Sequence, residues 1–262
     1  MGLLKKDITI INFDETYYAQ RKLQDFSHEK LNFQQMKHVN LYCEEDSLQT
    51  LKGHLQKRRN RGITFIGNGN YHYLTYPLLT EITKAFTLVL FDNHSDLGTD
   101  IDQESSMLSC GSWVSYALKK IPLLQRVVII GPTTMTLAHY ANNPRVVIFP
   151  FNRSKPYSLK AILSAIQTQS VYISIDKDVL NPNEVTTNWD QGKMDTSRLI
   201  YCLEMILISK QVEGIDICGE ASFSPLDALL PNYQSIIHKN ERANIQILQK
   251  CIEVSSIETR GA

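Results

Sequence analysis

The feature that most constrains the fold is a series of eight short, continuous apolar runs. Runs of this length, rich in β-branched and aromatic residues, are typical of buried strands. The runs are Ile8–Phe13, Val39–Cys43, Ile63–Ile66, Phe86–Phe91, Val127–Ile130, Val146–Phe149, Val171–Ile175 and Gly214–Cys218. Because their apolar character is continuous rather than alternating, both faces of the strands must be covered, as in a parallel sheet between two layers of helices.

Segments with apolar residues at helical spacing lie between or after several of these runs. They are Leu108–Leu118, Leu159–Ile166, Leu199–Ile208 and Ile236–Ile252. The alternation of strand and helix patterns predicts βαβ units, and hence an α/β fold with an eight-stranded parallel sheet. The sequence contains no internal repeat, low-complexity tract or Pro/Gly/Ser-rich linker. A single domain over residues 1–262 is therefore expected.

Composition excludes several classes of function. Lys+Arg and Asp+Glu both total 27, so no net charge favours nucleic acid or an anionic membrane as a partner. No apolar run approaches the ~18–20 residues of a membrane span, and the first residues lack the apolar core of a signal peptide. The five cysteines form no Cys-x-x-Cys pair, so reduced thiols and a cytoplasmic protein are expected. A small molecule is the expected partner, and a homo-oligomer remains an open alternative to a monomer.

Candidate metal ligands follow one of the predicted strands. Asp92, His94 and Asp96 occupy alternate positions directly after Phe86–Phe91, in the stretch "DNHSD". Side chains two residues apart on an extended strand point the same way, so these three would converge beyond the carboxyl end of the strand. Ligands bind at that edge of parallel sheets. Asp and His also initiate turns, so the stretch alone leaves a purely structural interpretation open.

Two further stretches favour a cation. Asp176 and Asp178 follow Val171–Ile175 with the same alternate spacing, although they also suit a turn toward Asn181 and Pro182. His72 follows a glycine-containing turn after another predicted strand, where a core or helix-start histidine is the other interpretation. Carboxylates clustered without a cation would have raised pKa values and would cost stability. A bound cation accounts for all three stretches together.

The stretches "GNYHY", "DNHSD" and "SIDKDVLNP" resemble three motifs of the arginase/agmatinase superfamily of ureohydrolases. The resemblance implies a three-layer arginase-like α/β fold with an eight-stranded parallel sheet flanked by helices. It also implies two Mn²⁺ ions, although other divalent ions fit a similar donor set. The ligands implied by the resemblance are His72, Asp92, His94, Asp96, Asp176 and Asp178.

The chemistry of these side chains agrees with the resemblance. Four carboxylates and two imidazoles form a hard, oxygen-rich set that matches manganese better than zinc. Two ions about 3.5–4 Å apart would acidify a shared water molecule. That water would attack a trigonal guanidinium, amidine or amide carbon.

Three segments depart from the family pattern. Cys110 stands where enzymes of the arginase type have a proton-shuttling histidine, and a thiol there either packs passively or transfers protons. In the late acidic segment we expect Glu220 to pair with the substrate cation and Asp216 to support it, with the reverse assignment open. Trp189 is expected either to roof the substrate through a cation–π contact or to lie in the core. Asp96, Glu220 and Cys110 are the candidate catalytic residues.

The sequence thus predicts a manganese-dependent hydrolase of a non-peptide C–N bond in a small, linear, cationic guanidine or amidine. The replacement of the histidine by Cys110 argues against arginase activity itself. One alternative is a non-catalytic metal-binding or regulatory member of the superfamily. A deacetylase-like amidohydrolase is a second, although the metal site of that branch uses fewer ligands.

Overall fold

A computed structural model describes residues 7–98, 107–133, 143–152 and 157–258. The described strands are β1 (Ile8–Asn12), β2 (His28–Asn32), β3 (Tyr42–Cys43), β4 (Ile63–Phe65), β5 (Phe86–Phe91), β6 (Leu108–Ser109), β7 (Leu124–Ile130), β8 (Val146–Phe149), β9 (Ser170–Asp176) and β10 (Gln211–Cys218). The described α-helices are α1 (Arg21–Gln24), α2 (Glu45–Lys57), α3 (Thr75–Leu79), α4 (Trp113–Lys120), α5 (Leu159–Ala165), α6 (Thr196–Ser209) and α7 (Pro231–Glu258). Short 3₁₀ segments cover Gly69–Leu74, Lys177–Val179 and Asp227–Leu229.

Eight of the strands form one sheet in the order β2-β1-β4-β10-β9-β5-β7-β8. All seven neighbouring pairs are parallel, which confirms the predicted α/β class. The crossovers between parallel strands place helices on both faces of the sheet. Leu88 and Leu90 of β5 pack into one apolar cluster, whereas Val89 and Phe91 pack into the other. Burial on both faces explains why the strands read as continuous apolar runs.

One of the eight predicted strands is wrong, and one strand was missed. Of Val39–Cys43, only Tyr42–Cys43 is extended, and it pairs antiparallel with Leu108–Ser109 outside the main sheet. The eighth strand of the sheet is instead His28–Asn32, which lies at the edge beside β1. Its sequence, HEKLN, is polar and largely exposed or half-buried. Edge strands carry charge in this way, which conceals them from a search for apolar runs.

The four predicted helical segments are confirmed, with shifted ends. The segment Leu108–Leu118 opens with β6 and becomes helical only at Trp113. Helix α7 is longer than the predicted Ile236–Ile252, because it begins at Pro231, a residue that suits the first turn of a helix. Within the described parts of the chain, none of the helices has the length and apolarity needed to cross a membrane.

The order of the central strands positions the candidate site. β4, β10, β9 and β5 are adjacent in the sheet and run in the same direction. Their carboxyl ends therefore meet at one edge. The segments that follow β4 and β5, together with the end of β9 and the turn after it, carry the six predicted metal ligands. The sheet therefore brings together residues that are distant in sequence.

Candidate metal centre

The first group of ligands surrounds His72. This histidine lies in the 3₁₀ segment after β4, and its Nδ1 atom is 2.9 Å from Asp96 Oδ2. The same Nδ1 atom is 3.4 Å from Asp92 Oδ2 and 3.5 Å from Asp176 Oδ2. All four residues are buried. The nitrogen and the three carboxylate oxygens thus face a common point at the edge of the sheet.

A second group lies beside the first. His94 Nδ1 is 2.8 Å from Asp178 Oδ2 and 3.6 Å from Asp92 Oδ1. The ligand atoms of His72, Asp92 and Asp96 lie within 4.8 Å of one another, and so do those of Asp92, His94 and Asp178. Asp92 belongs to both groups, with Oδ2 toward His72 and Oδ1 toward His94. The structure therefore assembles all six predicted ligands into two adjacent groups with a shared carboxylate.

The state of Asp92 and Asp176 shows that the cluster suits cations. The buried Asp92 Oδ2 atom accepts no hydrogen bond from the residues that the structure describes. Burial, followed by the charges of Asp96 and Asp178, raises the pKa of Asp92 well above its usual value. Burial and the charge of Asp178 raise the pKa of Asp176 to about 6. Buried carboxylates in this state gain most from a bound divalent cation, which stabilises the ionised form.

The donor set indicates which cations fit. Four carboxylates and two imidazoles are hard ligands that suit Mn²⁺ and similar divalent ions. The Cys218 thiol also lies near His72 and Asp176 and would add a soft ligand. Its Sγ atom, however, donates a hydrogen bond to Asp176 Oδ2 at 3.2 Å, and burial raises its pKa well above the usual value. Cys218 is therefore a protonated support for Asp176, and the set of six remains oxygen-rich.

Residues behind the cluster fix the orientation of His72. Ser174 Oγ lies 2.9 Å from His72 Nε2 and donates a hydrogen bond to Asp216 Oδ1 at 2.7 Å. Because the single hydroxyl proton goes to Asp216, Ser174 must accept the Nε2 proton of His72. Nδ1 of the neutral ring is then free to bind a cation, which is the usual arrangement of a supported histidine ligand. Asp216, a predicted substrate-binding residue, thus lies buried behind His72.

An indole supports a second ligand. Trp113, in the first turn of α4, donates a hydrogen bond from Nε1 to Asp96 Oδ2 at 2.6 Å. Asp96 itself has a positive φ of 49°, a conformation that Asp tolerates better than most residues. The turn and the indole together direct the Asp96 carboxylate toward His72.

An open cavity of about 310 Å³ gives access to the cluster. It is lined by Gly69, His72, Asp92, His94, Ser95, Asp96, Gly98, Ser109, Cys110, Gly111, Asp176, Asp178 and Trp189. The structure therefore brings Cys110 and Trp189 together with the candidate ligands. Burial, followed by the charges of Asp96 and Asp176, raises the pKa of the Cys110 thiol to about 12. The backbone N–H of Cys110 donates to the Leu41 carbonyl at 2.7 Å, which holds this wall of the cavity.

Trp189 lies at the mouth of the cavity and is 42% exposed, so it is not a core residue. Its ring meets that of His94 edge to face, with centroids 6.0 Å apart. Its Nε1 donates to Asn70 Oδ1 at 3.0 Å. A Cβ atom on Gly69 would come within 2.7 Å of the indole, so glycine is needed there for the ring to lie over the ligands. The indole is thus held at a position where it can cover a bound molecule.

Glu220 does not join the cavity. It is completely buried, and its carboxylate contacts Lys177, Gln20, Asn240 and Asn244. The predicted role of Glu220 as the partner of a substrate cation does not fit this position, because the internal ammonium and amide groups already occupy both carboxylate oxygens. The same burial removes Asp216 from direct contact with a molecule in the cavity.

Sequence reasoning missed several residues that support the ligands. Ser174 had a usable signal, because it precedes Asp176 by two residues on β9 and therefore shares its face. Lys177 had a weaker signal in the sequence, since a lysine between two buried acids implies an acidic partner elsewhere in the chain. Trp113 and Cys218 had none, because an indole or thiol in an apolar segment is usually a packing residue.

Comparisons with known proteins agree with the geometry. A model of the arginase family matches residues 8–222. An uncharacterized protein of Thermotoga maritima is 30% identical over 94% of this chain and 90% of its own length.

Solved structures show the same fold. A hypothetical agmatinase from Burkholderia thailandensis superposes with a TM-score of 0.64 at 17% identity, over 94% of this chain and 87% of the agmatinase. A variant of the formiminoglutamase of Trypanosoma cruzi, determined with Mn²⁺, superposes with a TM-score of 0.65 at 13% identity, over 97% of each chain. At these identities the likeness establishes the fold alone.

Proposed function

The chain belongs to the arginase family, and on this basis we propose that it is a binuclear manganese-dependent hydrolase. The proposed substrate is a small, linear, cationic guanidine or amidine, in which a non-peptide C–N bond is cleaved. Other divalent ions remain possible in place of manganese. The observation that carries the proposal is the pair of adjacent ligand groups that share Asp92 within an accessible cavity.

The residues of the chain divide the work of such a reaction. His72, Asp92, Asp96 and Asp176 would hold one ion, and Asp178 and His94 would complete the second site with shared carboxylates. A pair of divalent ions bound by these residues would supply an acidified water molecule and stabilisation of charge that develops on the substrate. The candidate catalytic residue Asp96 would act as a ligand that Trp113 keeps in place.

The cavity favours a planar cationic head group. Four aspartate charges balance two divalent cations, so no net charge of the centre would repel a cation. The exposed face of Trp189 attracts cations and stacks on planar groups. Guanidinium and amidinium groups are both cationic and planar. Among the described residues that line the cavity there is no Lys or Arg to compete for this position. Trp189 is therefore proposed to cover the substrate, a role that replaces the one expected of Glu220.

A substrate screen tests the proposal. Purified protein loaded with Mn²⁺ is incubated with guanidino acids, agmatine-like amines, formimino compounds and acylated polyamines, and release of urea, ammonia, formamide or free carboxylic acid is measured. We expect turnover of at least one cationic guanidine or amidine, abolished by a chelator and restored by Mn²⁺. Two bound ions without turnover of any compound would support the non-catalytic alternative. Cleavage of acylated amines by protein with a single zinc ion would support the deacetylase-like one.

Cys110 is expected to be a passive wall of the cavity. Because the thiol is half-buried and its pKa is raised, it retains its proton near neutral pH and is a poor proton shuttle. Cys110→Ser should therefore keep both ions and most of the turnover of whichever substrate the screen identifies. The comparison uses rates from pH 6 to 9. A loss of roughly 10²–10⁴-fold with a displaced pH profile, the usual effect of removing a proton-transfer group, would contradict this expectation.

A further inference from the structure

A second polar cluster lies buried behind the metal ligands. Glu220 Oε1 contacts Lys177 Nζ and accepts a hydrogen bond from Asn244 at 2.7 Å. Its Oε2 atom accepts hydrogen bonds from Gln20 at 3.0 Å and from Asn240 at 2.9 Å. None of the five residues exposes more than 1% of its surface. Together they form what we call the Glu220 network, and the cavity does not touch it.

The network is joined directly to two of the metal ligands. Lys177 stands between Asp176 and Asp178 in the 3₁₀ turn that ends β9. Gly219, which precedes Glu220, lies against the same turn. A Cβ atom on Gly219 would come within 2.3 Å of Asp176 Oδ1 and 2.6 Å of the backbone nitrogen of Lys177. Gly219 also has a φ of +84°, which directs the chain toward the network.

Two of the amides come from the C-terminal helix. Asn240 and Asn244 are four residues apart on α7, so they lie on the same helical face. This helix begins at Pro231 and lies beyond residues 8–222, which match the family model. Gln20 approaches from the segment before α1. Three separate parts of the chain thus converge on one carboxylate.

The position of Lys177 makes this arrangement necessary. An ammonium group next to Asp176 and Asp178 in sequence would be attracted by their carboxylates, and it would compete with the cations that those carboxylates bind. Glu220 is instead the ion-pair partner of Lys177, and it does not line the cavity over the candidate ligands. Buried ion pairs contribute little to stability relative to apolar side chains of similar volume, so stability alone does not account for the pair.

We propose that Glu220 is a positioning residue, which keeps the Lys177 ammonium away from the metal centre while Gln20, Asn240 and Asn244 fix its carboxylate. The C-terminal helix thereby supports cation binding by Asp176 and Asp178. The inference uses the metal centre of the proposed function but none of its substrate chemistry.

The test measures cation binding in the full-length chain, without any substrate. Glu220→Gln should bind Mn²⁺ roughly 10–100-fold more weakly by calorimetric titration, the usual effect of losing a residue that supports ligands. Its Co²⁺ form should show an altered visible absorption spectrum. The double variant Lys177→Met with Glu220→Leu should regain most of the affinity, because the competing ammonium is gone.

Two further variants separate this role from general destabilisation. Glu213 lies on β10 and pairs with the exposed Lys84 at 3.0 Å. Glu213→Gln removes that pairing and should leave affinity and spectrum unchanged. Asn244→Ala leaves the ion pair in place and should weaken binding in the same direction as Glu220→Gln, so it serves if Glu220→Gln fails to fold.

The outcomes distinguish the two proposals. Wild-type affinity in folded Glu220→Gln, or no recovery in the double variant, would overturn the positioning role. Absence of Mn²⁺ binding in the wild-type chain would overturn both proposals. Two bound ions with no hydrolysis of any guanidine or amidine would overturn the proposed function but not the positioning role of Glu220.

Discussion

Asp92→Asn is expected to lower the affinity for Mn²⁺ at both sites by more than about 100-fold. Loss of a supporting residue costs 10–100-fold, and Asp92 is a ligand common to the two groups, so its loss should exceed that range. The asparagine amide carries no charge and would turn donor hydrogens toward a cation. Metal content after dialysis against Mn²⁺, measured by atomic emission, should fall from two ions per chain to none, and hydrolysis should disappear with it.

Asp46→Asn is a suitable control, because Asp46 lies exposed in the first turn of α2 and is remote in sequence from every ligand. It should retain both ions. Loss of one ion alone in Asp92→Asn would assign Asp92 to a single site, and retention of two ions at wild-type affinity would show that the shared-ligand geometry is incorrect.

The ligands were predictable because local geometry and sheet topology act in the same direction. Alternate spacing after a strand predicts that Asp92, His94 and Asp96 share one side, and that Asp176 and Asp178 do so too. In the structure these residues converge through turns instead, a positive φ at Asp96 and a 3₁₀ turn after Asp176. A parallel sheet then brings the ends of β5 and β9 together, because these strands are direct neighbours. The neighbour relation of β5 and β9 does not depend on side-chain packing, whereas the turn at Asp96 is supported by the distant Trp113.

The role of Glu220 was not predictable in the same way. The residue follows Gly219, whose positive φ breaks the alternation of an extended strand, so spacing no longer reports the direction of the next side chain. Its partners Asn240 and Asn244 come from a helix that closes the fold late in the chain. A buried carboxylate whose partners are distant in sequence gives no local pattern. The sequence failed to predict the edge strand His28–Asn32 for a comparable reason, because its polarity is set by its place in the sheet.

The effect of Mn²⁺ on thermal stability should increase with pH. In metal-free protein, burial raises the pKa of Asp176 to about 6. Ionisation of this group therefore lowers the free energy of unfolding as pH rises from about 3.9 toward 6. Burial lowers the pKa of His72, but Asp96 outweighs it and raises that pKa to about 10. The stabilisation from the His72 proton is complete below about pH 6.5 and is lost as pH rises toward 10. Both groups therefore make metal-free protein less stable at higher pH.

Cation binding reverses this trend, because Mn²⁺ requires ionised carboxylates and neutral imidazoles and so releases the protons that metal-free protein holds. At a free Mn²⁺ concentration 100 times the dissociation constant, each site contributes about 2.7 kcal/mol, and two sites together raise the melting temperature by roughly 10–20 °C. Melting curves recorded with Mn²⁺ and with a chelator at pH 5, 6.5 and 8 should show this difference growing steadily. In Asp92→Asn the two curves should coincide at every pH. A wild-type difference that is constant or shrinks between pH 5 and 8 would mean that Mn²⁺ stabilises the protein without displacing the protons of Asp176 and His72, and therefore at some other place.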